Sequence, residues 1–175
     1  MQIRTEQPED FDAIHEVVRA AFGSDVEADL VRAIRTDPCY RPELSFVAVD
    51  SDEIVGHVMI DGCWVRSATG DRPIVMLSPL AVAPDHQRRG IGTSLIDTAV
   101  RAVDAAGEPL IVLEGSPTYY GARGFEFAGN QGLTLPLPDW APREAAQVRL
   151  LSAYDPTDAT LRGDVVYPAP FDGLA

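Results

Sequence analysis

Between residues 87 and 92 the chain reads Gln87-Arg88-Arg89-Gly90-Ile91-Gly92, which sets cationic donors and two glycines directly ahead of an apolar helix pattern. Glycines let a backbone approach a ligand without Cβ interference, and a helix start aims unpaired N–H groups and a positive dipole end outward. Arg88 and Arg89 add guanidinium forks suited to phosphate, and Gln87 adds an amide. Pyrophosphate is the ligand that this composition suits. Two rival phosphate loops do not fit. A dinucleotide fingerprint wants a third glycine where Leu95 stands, and a first one close behind the strand, where the chain places Ala83-Pro84-Asp85-His86. A P-loop wants Gly-Lys-Ser/Thr, which is absent.

A second segment with chemical potential lies about thirty residues on, at Thr118-Tyr119-Tyr120-Gly121-Ala122-Arg123-Gly124-Phe125-Glu126-Phe127. Taken with the strand, the Pro-initiated turn, the basic loop and the helix around Gly90, it resembles the Gcn5-related N-acetyltransferase (GNAT) superfamily. The first segment matches that family's acyl-CoA-binding pattern, Arg/Gln-x-x-Gly-x-Gly/Ala. The second matches its aromatic-Tyr pair on a short helix that leads through three residues into Gly-Phe and a strand. The resemblance runs from about Ile3 to Phe127 and fades beyond it. The Gly115-Ser116-Pro117-Thr118-Tyr119-Tyr120 version and the long tail are similar to YhbS-like acetyltransferases.

This resemblance implies an α/β (α+β) fold in one domain, with a mixed, mostly antiparallel sheet, a splay between two central parallel strands, and helices on both faces. Pro79 is compatible with interrupted pairing at such a splay. It also implies acetyl-CoA as acyl donor, with no metal. Leu80, Ala81 and Val82 would border the pantetheine arm, and Gln87, Arg88, Arg89, Gly90, Ile91, Gly92 and Thr93 would hold the pyrophosphate. A backbone N–H near Leu80 to Val82 would serve as oxyanion donor. Tyr120 would place its hydroxyl beside the cofactor sulfur as the acid, while Tyr119 on the same short helix faces another way. The activity implied is transfer of an acetyl group from the thioester to a primary amine by direct attack. The alternatives are a catalytically inactive acyl-CoA-binding or sensing module, and a binding protein for another anion.

Transfer to an amine needs an unprotonated nucleophile, a stabilised oxyanion and a proton for the departing thiolate. Deprotonating a lysine-like amine at pH 7 costs roughly 4 to 5 kcal/mol, and an α-amine about 1 to 1.5 kcal/mol. Tyr120, with a reference pKa of about 10, is close enough to a thiol at about 8.5 to share a proton with it. The base is harder to assign. Many relatives carry a glutamate on the strand before the pyrophosphate loop, but Ile74-Val75-Met76-Leu77-Ser78-Pro79-Leu80 holds no carboxylate. Glu114, at the end of the neighbouring strand, is the leading candidate, with Asp61 and His57 on the preceding hairpin as others facing the groove. His86 flanks the phosphate turn.

The elements that must position these groups follow from periodicity. Met1 to Thr5 reads as a strand, and Pro8 opens a helix that carries Phe11, Ile14, Val18, Ala21 and Phe22 inward. Asp25 to Arg35 forms a second helix with Val26, Leu30, Val31 and Ile34 inward. Ser45 to Asp50 and Ile54 to Val65 form an antiparallel hairpin around Asp50-Ser51-Asp52-Glu53. Ile74 to Val82 is a strand, Thr93 to Ala106 a helix with Leu95, Ile96, Ala99, Val100 and Val103 in one stripe, and Pro109 to Glu114 a buried strand. Gly107 supplies the helix stop. Past Asn130 the chain is rich in proline, with strand patterns at Gln147 to Tyr154 and Asp164 to Tyr167. The domain core is expected over about 1 to 130, with 131 to 175 as an extension that completes a sheet edge and covers part of the acceptor groove.

Composition sets the remaining bounds. A chain of 175 residues can bury roughly 70% of its unfolded surface without staples. Its 27 acidic and 14 basic residues give a formal charge of −13, which argues against nucleic acid and anionic membranes as partners and favours a cationic acceptor, a small molecule or a peptide amine. Cys39 and Cys63 have no metal spacing and are too few for a disulfide framework. No leader pattern precedes Glu6, Glu9 and Asp10, so a cytoplasmic protein is expected. An exposed late strand leaves a homodimer open.

Overall fold

The computed structural model describes residues 1–174. The fold is mixed α/β, and the chain divides into two compact units interleaved in sequence. Met1–Asp61 and Leu77–Val103 make the first; Gly62–Met76 and the chain from Asp104 onward make the second.

The first unit opens with β1 (Gln2–Thr5), a 3-10 turn at Pro8–Asp10, α1 (Phe11–Phe22) and α2 (Val26–Arg35). β2 (Ser45–Asp50) pairs antiparallel with β1 and with the first part of β3 (Glu53–Ser67). At the β2–β3 turn Ser51 and Asp52 have φ of 50° and 66°, the left-handed pair of a two-residue turn whose twist matches that of the flanking strands. The end of β4 (Gly70–Val82) leads through a 3-10 turn at Pro84–His86 into α3 (Ile91–Ala105).

α3 buries the whole expected stripe, Leu95, Ile96, Ala99, Val100 and Val103, together with Ile91. It lies hard against β3, since a Cβ on Gly56 would come within 2.9 Å of Leu95 and 3.2 Å of Ile91. Next to it along β3, His57 points to the opposite face, where α2 contributes Arg35 to the cluster around Glu6. Helices thus cover both faces of this part of the sheet. Two expected core positions are corrected. Phe22 and Val26 are 44% and 51% exposed, because they stand at the last and first residues of their helices, where the apolar stripe runs past its support.

In the second unit β5 (Leu110–Glu114) pairs parallel with β4 at Val75↔Ile111 and Met76↔Val112, and antiparallel with β8 (Ala146–Leu150) over all five residues. The parallel ladder is therefore the short side of β5. α4 (Pro117–Gly121) follows β5, and β6 (Glu126–Phe127) pairs with the other side of β8. β7 (Leu133–Thr134) runs parallel to β9 (Gly163–Val166), which pairs antiparallel with β3 from Trp64↔Val166 to Arg66↔Asp164. The core of this unit gathers Val65, Ile74, Met76, Leu110, Val112, Val148, Leu161 and Val165.

The tail departs from expectation in one respect. The strand expected over Gln147 to Tyr154 is shorter, and β8 is inserted between β5 and β6, flanked on both sides, while the tail's β9 and β7 extend the sheet beside β3. The buried residues Ala146 and Val148 make β8 an interior strand. No helix among the described residues is long and apolar enough to cross a membrane.

Candidate functional site

In the first unit the basic loop joins the end of β4 to α3. Gln87 is extended, Arg88 is left-handed at φ 63°, and Gly90 has φ 81°. A non-glycine residue in the left-handed region is uncommon and carries a conformational cost, of the kind that gathers at ligand-binding turns. Gly90 meets the need for φ above zero, and a Cβ there would have nothing within 4 Å, so the space beside it is open. The first helical bond of α3 runs from Ser94 N to Gly90 O at 3.0 Å, so the amides ahead of Ser94 precede the helical ladder. No acidic residue stands in the first turn to neutralise that end.

Arg88 and Arg89 are exposed, and neither guanidinium has a partner among the described residues. A free pair of guanidinium groups at a helix start suits an anion with several oxygens, and a pyrophosphate fits that donor set. Gln87 is placed differently from expectation. Its Nε2 donates to the Val82 carbonyl at 3.1 Å, so the amide ties the loop back to β4 rather than standing free as a ligand donor. Along β4, Ala81 is buried while Leu80 and Val82 are half-buried; Ser78–Pro79 is a cis peptide.

The tyrosine pair lies in the second unit, on α4. Ser116 caps the helix, its Oγ accepting from Tyr119 N at 3.2 Å, and Pro117 pre-sets the first helical φ. The Tyr119 and Tyr120 rings meet edge to face at 82° with centroids 5.0 Å apart, so the two side chains do point differently. Tyr119 stacks under the Arg123 guanidinium, 3.6 Å from ring centroid to Cζ. Tyr120 packs on Phe125 and fills the space where a Cβ on Gly115 would stand. The Tyr120 hydroxyl has no hydrogen-bond partner among the described residues. Burial, with a smaller contribution from Tyr119, pushes its pKa up to about 12 against the opposing pull of Arg123.

Glu114 ends β5 on the strand face that carries Leu110 and Val112. Its Oε1 accepts a hydrogen bond from the Tyr167 hydroxyl at 2.7 Å. Partial burial raises the Glu114 pKa above the ordinary carboxylate value, and donation from Tyr167 pulls against that rise. Tyr167 follows directly after β9, so the tail delivers this phenol. Sequence reasoning missed it; the only signal was a tyrosine closing the late strand pattern.

The other two candidate bases are closed to solvent in this structure, which corrects the expectation that they face a groove. His57 is 0% exposed, with Nε2 3.0 Å from Glu6 Oε2 and 3.2 Å from Ser45 Oγ. Burial lowers its pKa despite Glu6, which favours the neutral ring, and its Nε2–H donates a hydrogen bond to the Glu6 carboxylate. Glu6 also accepts from Arg35 Nε and Nη2 at 3.1 and 2.9 Å and from the Tyr40 hydroxyl at 2.5 Å. Burial alone would raise the Glu6 pKa; donation from His57, Arg35 and Tyr40 overrides it and holds the carboxyl well below the usual range. This cluster welds β1, α2 and β3 together and was not read from the sequence.

Asp61 is also 0% exposed, and neither of its carboxylate oxygens has a hydrogen-bond partner. Burial, reinforced by Asp37, raises its pKa well above the ordinary value.

Comparison with known proteins places the chain in a family. Residues 2–128 match the family described as the acetyltransferase (GNAT) domain. The chain is 33% identical over 153 residues to the uncharacterized N-acetyltransferase YjhQ of Escherichia coli K12, covering 87% of this chain and 83% of that one. The 1.55 Å crystal structure of the E. coli GNAT-family N-acetyltransferase YhbS in complex with CoA superposes with a TM-score of 0.88 at 29% identity, covering 99% of this chain and 93% of that one. A GNAT-family acetyltransferase from Brucella melitensis, solved in complex with acetyl-CoA, gives a TM-score of 0.77 at 28% identity, with 98% and 97% of the two chains covered.

Proposed function

Because the chain belongs to the GNAT acetyltransferase family, we propose that it takes acetyl-CoA as donor and passes the acetyl group to a primary amine by direct attack. The observation that carries this reading is the basic loop: two unpartnered arginines and a helix start free of acid, in a chain whose formal charge is −13. A local field opposed to the global one marks a binding site for an anion. The CoA and acetyl-CoA found in the YhbS and Brucella relatives support the identity of that anion.

When bound, acetyl-CoA supplies an acetyl group activated as a thioester. Arg88, Arg89, Gly90, Ile91, Gly92 and Thr93 are the residues that would hold its pyrophosphate, with Gln87 bracing the loop; Leu80, Ala81 and Val82 would border its pantetheine arm. Neither cysteine offers a covalent route, because Cys39 and Cys63 are 7% and 1% exposed and burial pushes the Cys39 thiol up. Closure of the cysteine route supports direct attack by the acceptor amine. Glu114 takes its proton, alone or through a water, with its raised pKa bringing it nearer to neutral pH.

Tyr120 keeps its proton throughout the neutral range. Full transfer from a phenol at about 12 to a thiolate with a reference value of about 8.5 is uphill by roughly 5 kcal/mol. Proton sharing on matched pKa values is thus replaced by a narrower role: the hydroxyl donates a hydrogen bond that stabilises charge developing on the departing sulfur.

Calorimetric titration with acetyl-CoA, using ATP and NAD as controls, tests the reading. Saturable binding selective for acetyl-CoA is expected, weakened at least tenfold and made less salt-dependent when Arg88 and Arg89 are both replaced by alanine, and nearly unchanged in Tyr120→Phe. No binding by the wild-type protein would overturn the donor assignment.

A further inference from the structure

We propose that Asp61 binds the alkylammonium group of the acceptor, a cation subsite whose identification with the acceptor rests on the reading of the chain as an amine acetyltransferase. The carboxyl is fully enclosed, yet both of its oxygens lack a partner. Buried polar groups are almost always paired, and an exception calls for a specific cause.

The cause is not a general shortage of donors in this unit. In the same unit, Glu6 receives two bonds from Arg35 and others from Tyr40 and His57. The charge that Asp61 feels is of the wrong kind. The charged group that acts on it is Asp37, which raises its pKa, and both aspartates in turn help to raise that of Cys39. Asp37 in turn accepts the Cys39 amide at 2.9 Å, which ties these two residues together. The surroundings thus present negative charge and a neutral thiol, and the partner still owed to Asp61 is a cation.

Among the described residues no group of three His, Cys, Asp or Glu side chains could hold a metal ion. An ammonium needs no such cage, because its three N–H donors can serve both oxygens of one carboxylate. The strongly acidic composition favours a cationic visitor in the same sense. Residues 36–41, which carry Asp37 and Cys39, lie between α2 and the 3-10 turn before β2 and contain neither helix nor strand. Entry of the cation requires this enclosure to open, and the stretch around Asp37 and Cys39, free of helix and strand, is where we place the opening.

The test uses the full chain labelled with 13C at the aspartate carboxyls, with the Asp61 resonance assigned by its loss in Asp61→Asn. Methylammonium chloride is the probe, and potassium chloride at equal ionic strength the control. Methylammonium should lower the titration midpoint of Asp61 saturably by about one unit, a tenfold fall in proton affinity, and raise the wild-type Tm but not that of Asp61→Asn. An Asp61 midpoint that is the same in both salts, or a Tm rise retained by Asp61→Asn, would overturn the subsite. Acetyl-CoA titration of the same wild-type sample reads the donor separately: methylammonium binding without acetyl-CoA binding keeps the cation site and removes its link to acetyl transfer, and the reverse result removes the site and keeps the enzyme.

Discussion

Glu6 and Asp61 are both buried carboxyl groups of the same compact unit, and their surroundings are opposite. Glu6 closes a network of guanidinium, phenol and imidazole donors and is held ionised. Asp61 has no donor at all, and burial, reinforced by Asp37, pushes its pKa up. An acid whose partners arrive with folding is part of the bonding of the fold. One whose partner does not arrive lowers stability, and it persists for what it binds.

The contrast is most exposed to failure at Glu6. Replacing Glu6 by Gln leaves the Arg35 guanidinium, whose side chain is 7% exposed, without its counter-charge. A loss of about 3–5 kcal/mol in urea unfolding is expected, the usual result of breaking one side of a buried pair. A loss below about 1 kcal/mol would mean that the cluster does not secure the fold. The pH dependence has a definite sign. Because the folded-state pKa of Glu6 is lowered, its contribution is present above the unfolded value of about 4.3 and is lost as the pH falls from there toward the folded value.

Asp61→Asn should act in the other direction and more weakly, stabilising the free protein by about 1–3 kcal/mol at neutral pH. The folded-state pKa of Asp61 is raised, so the wild-type penalty is absent below the unfolded value of about 3.9 and grows as the pH rises toward the folded one. The gain in Asp61→Asn should therefore be near zero at pH 3.5 and increase toward neutrality. A gain that did not vary with pH would show that desolvation of the charged form is not its source.

How these two acids differ could not be read from the sequence, because their partners are set by long-range folding. Glu6 meets Arg35, Tyr40 and His57 across 29, 34 and 51 residues. Features with a local physical cause were legible: the α3 stripe, the β2–β3 hairpin and the glycine loop ahead of a helix start at Gly90. Strand neighbours were not, since alternation assigns a face but not a partner: the tail was expected to complete an edge, with nothing to say that its β8 would stand between β5 and β6. Helix ends were overread at Phe22 and Val26 because periodicity continues where packing stops. The Gln87 amide was counted as a ligand donor because no pattern reveals that the Val82 carbonyl claims it first.

Glu114 lies between the two extremes, with one partner, and offers the smallest and most specific change. The Tyr167 hydroxyl donates to its carboxylate, which favours the ionised form that a base requires, while burial favours the neutral one. Removing the donor in Tyr167→Phe should let burial prevail, raising the Glu114 pKa further. The acid limb of acetyl transfer, followed as thiol release from acetyl-CoA, should then move to higher pH while the plateau at alkaline pH stays in place. A hydrogen bond worth about 1 kcal/mol corresponds to about a fivefold loss on that limb. The same substitution made in a Glu114→Gln background should leave the pH profile where Glu114→Gln alone puts it, because the phenol acts only through the carboxylate it touches. An unmoved acid limb in the single variant would reduce Tyr167 to a packing residue beside Phe171, and the tail to a cover over its strand rather than a support for the base.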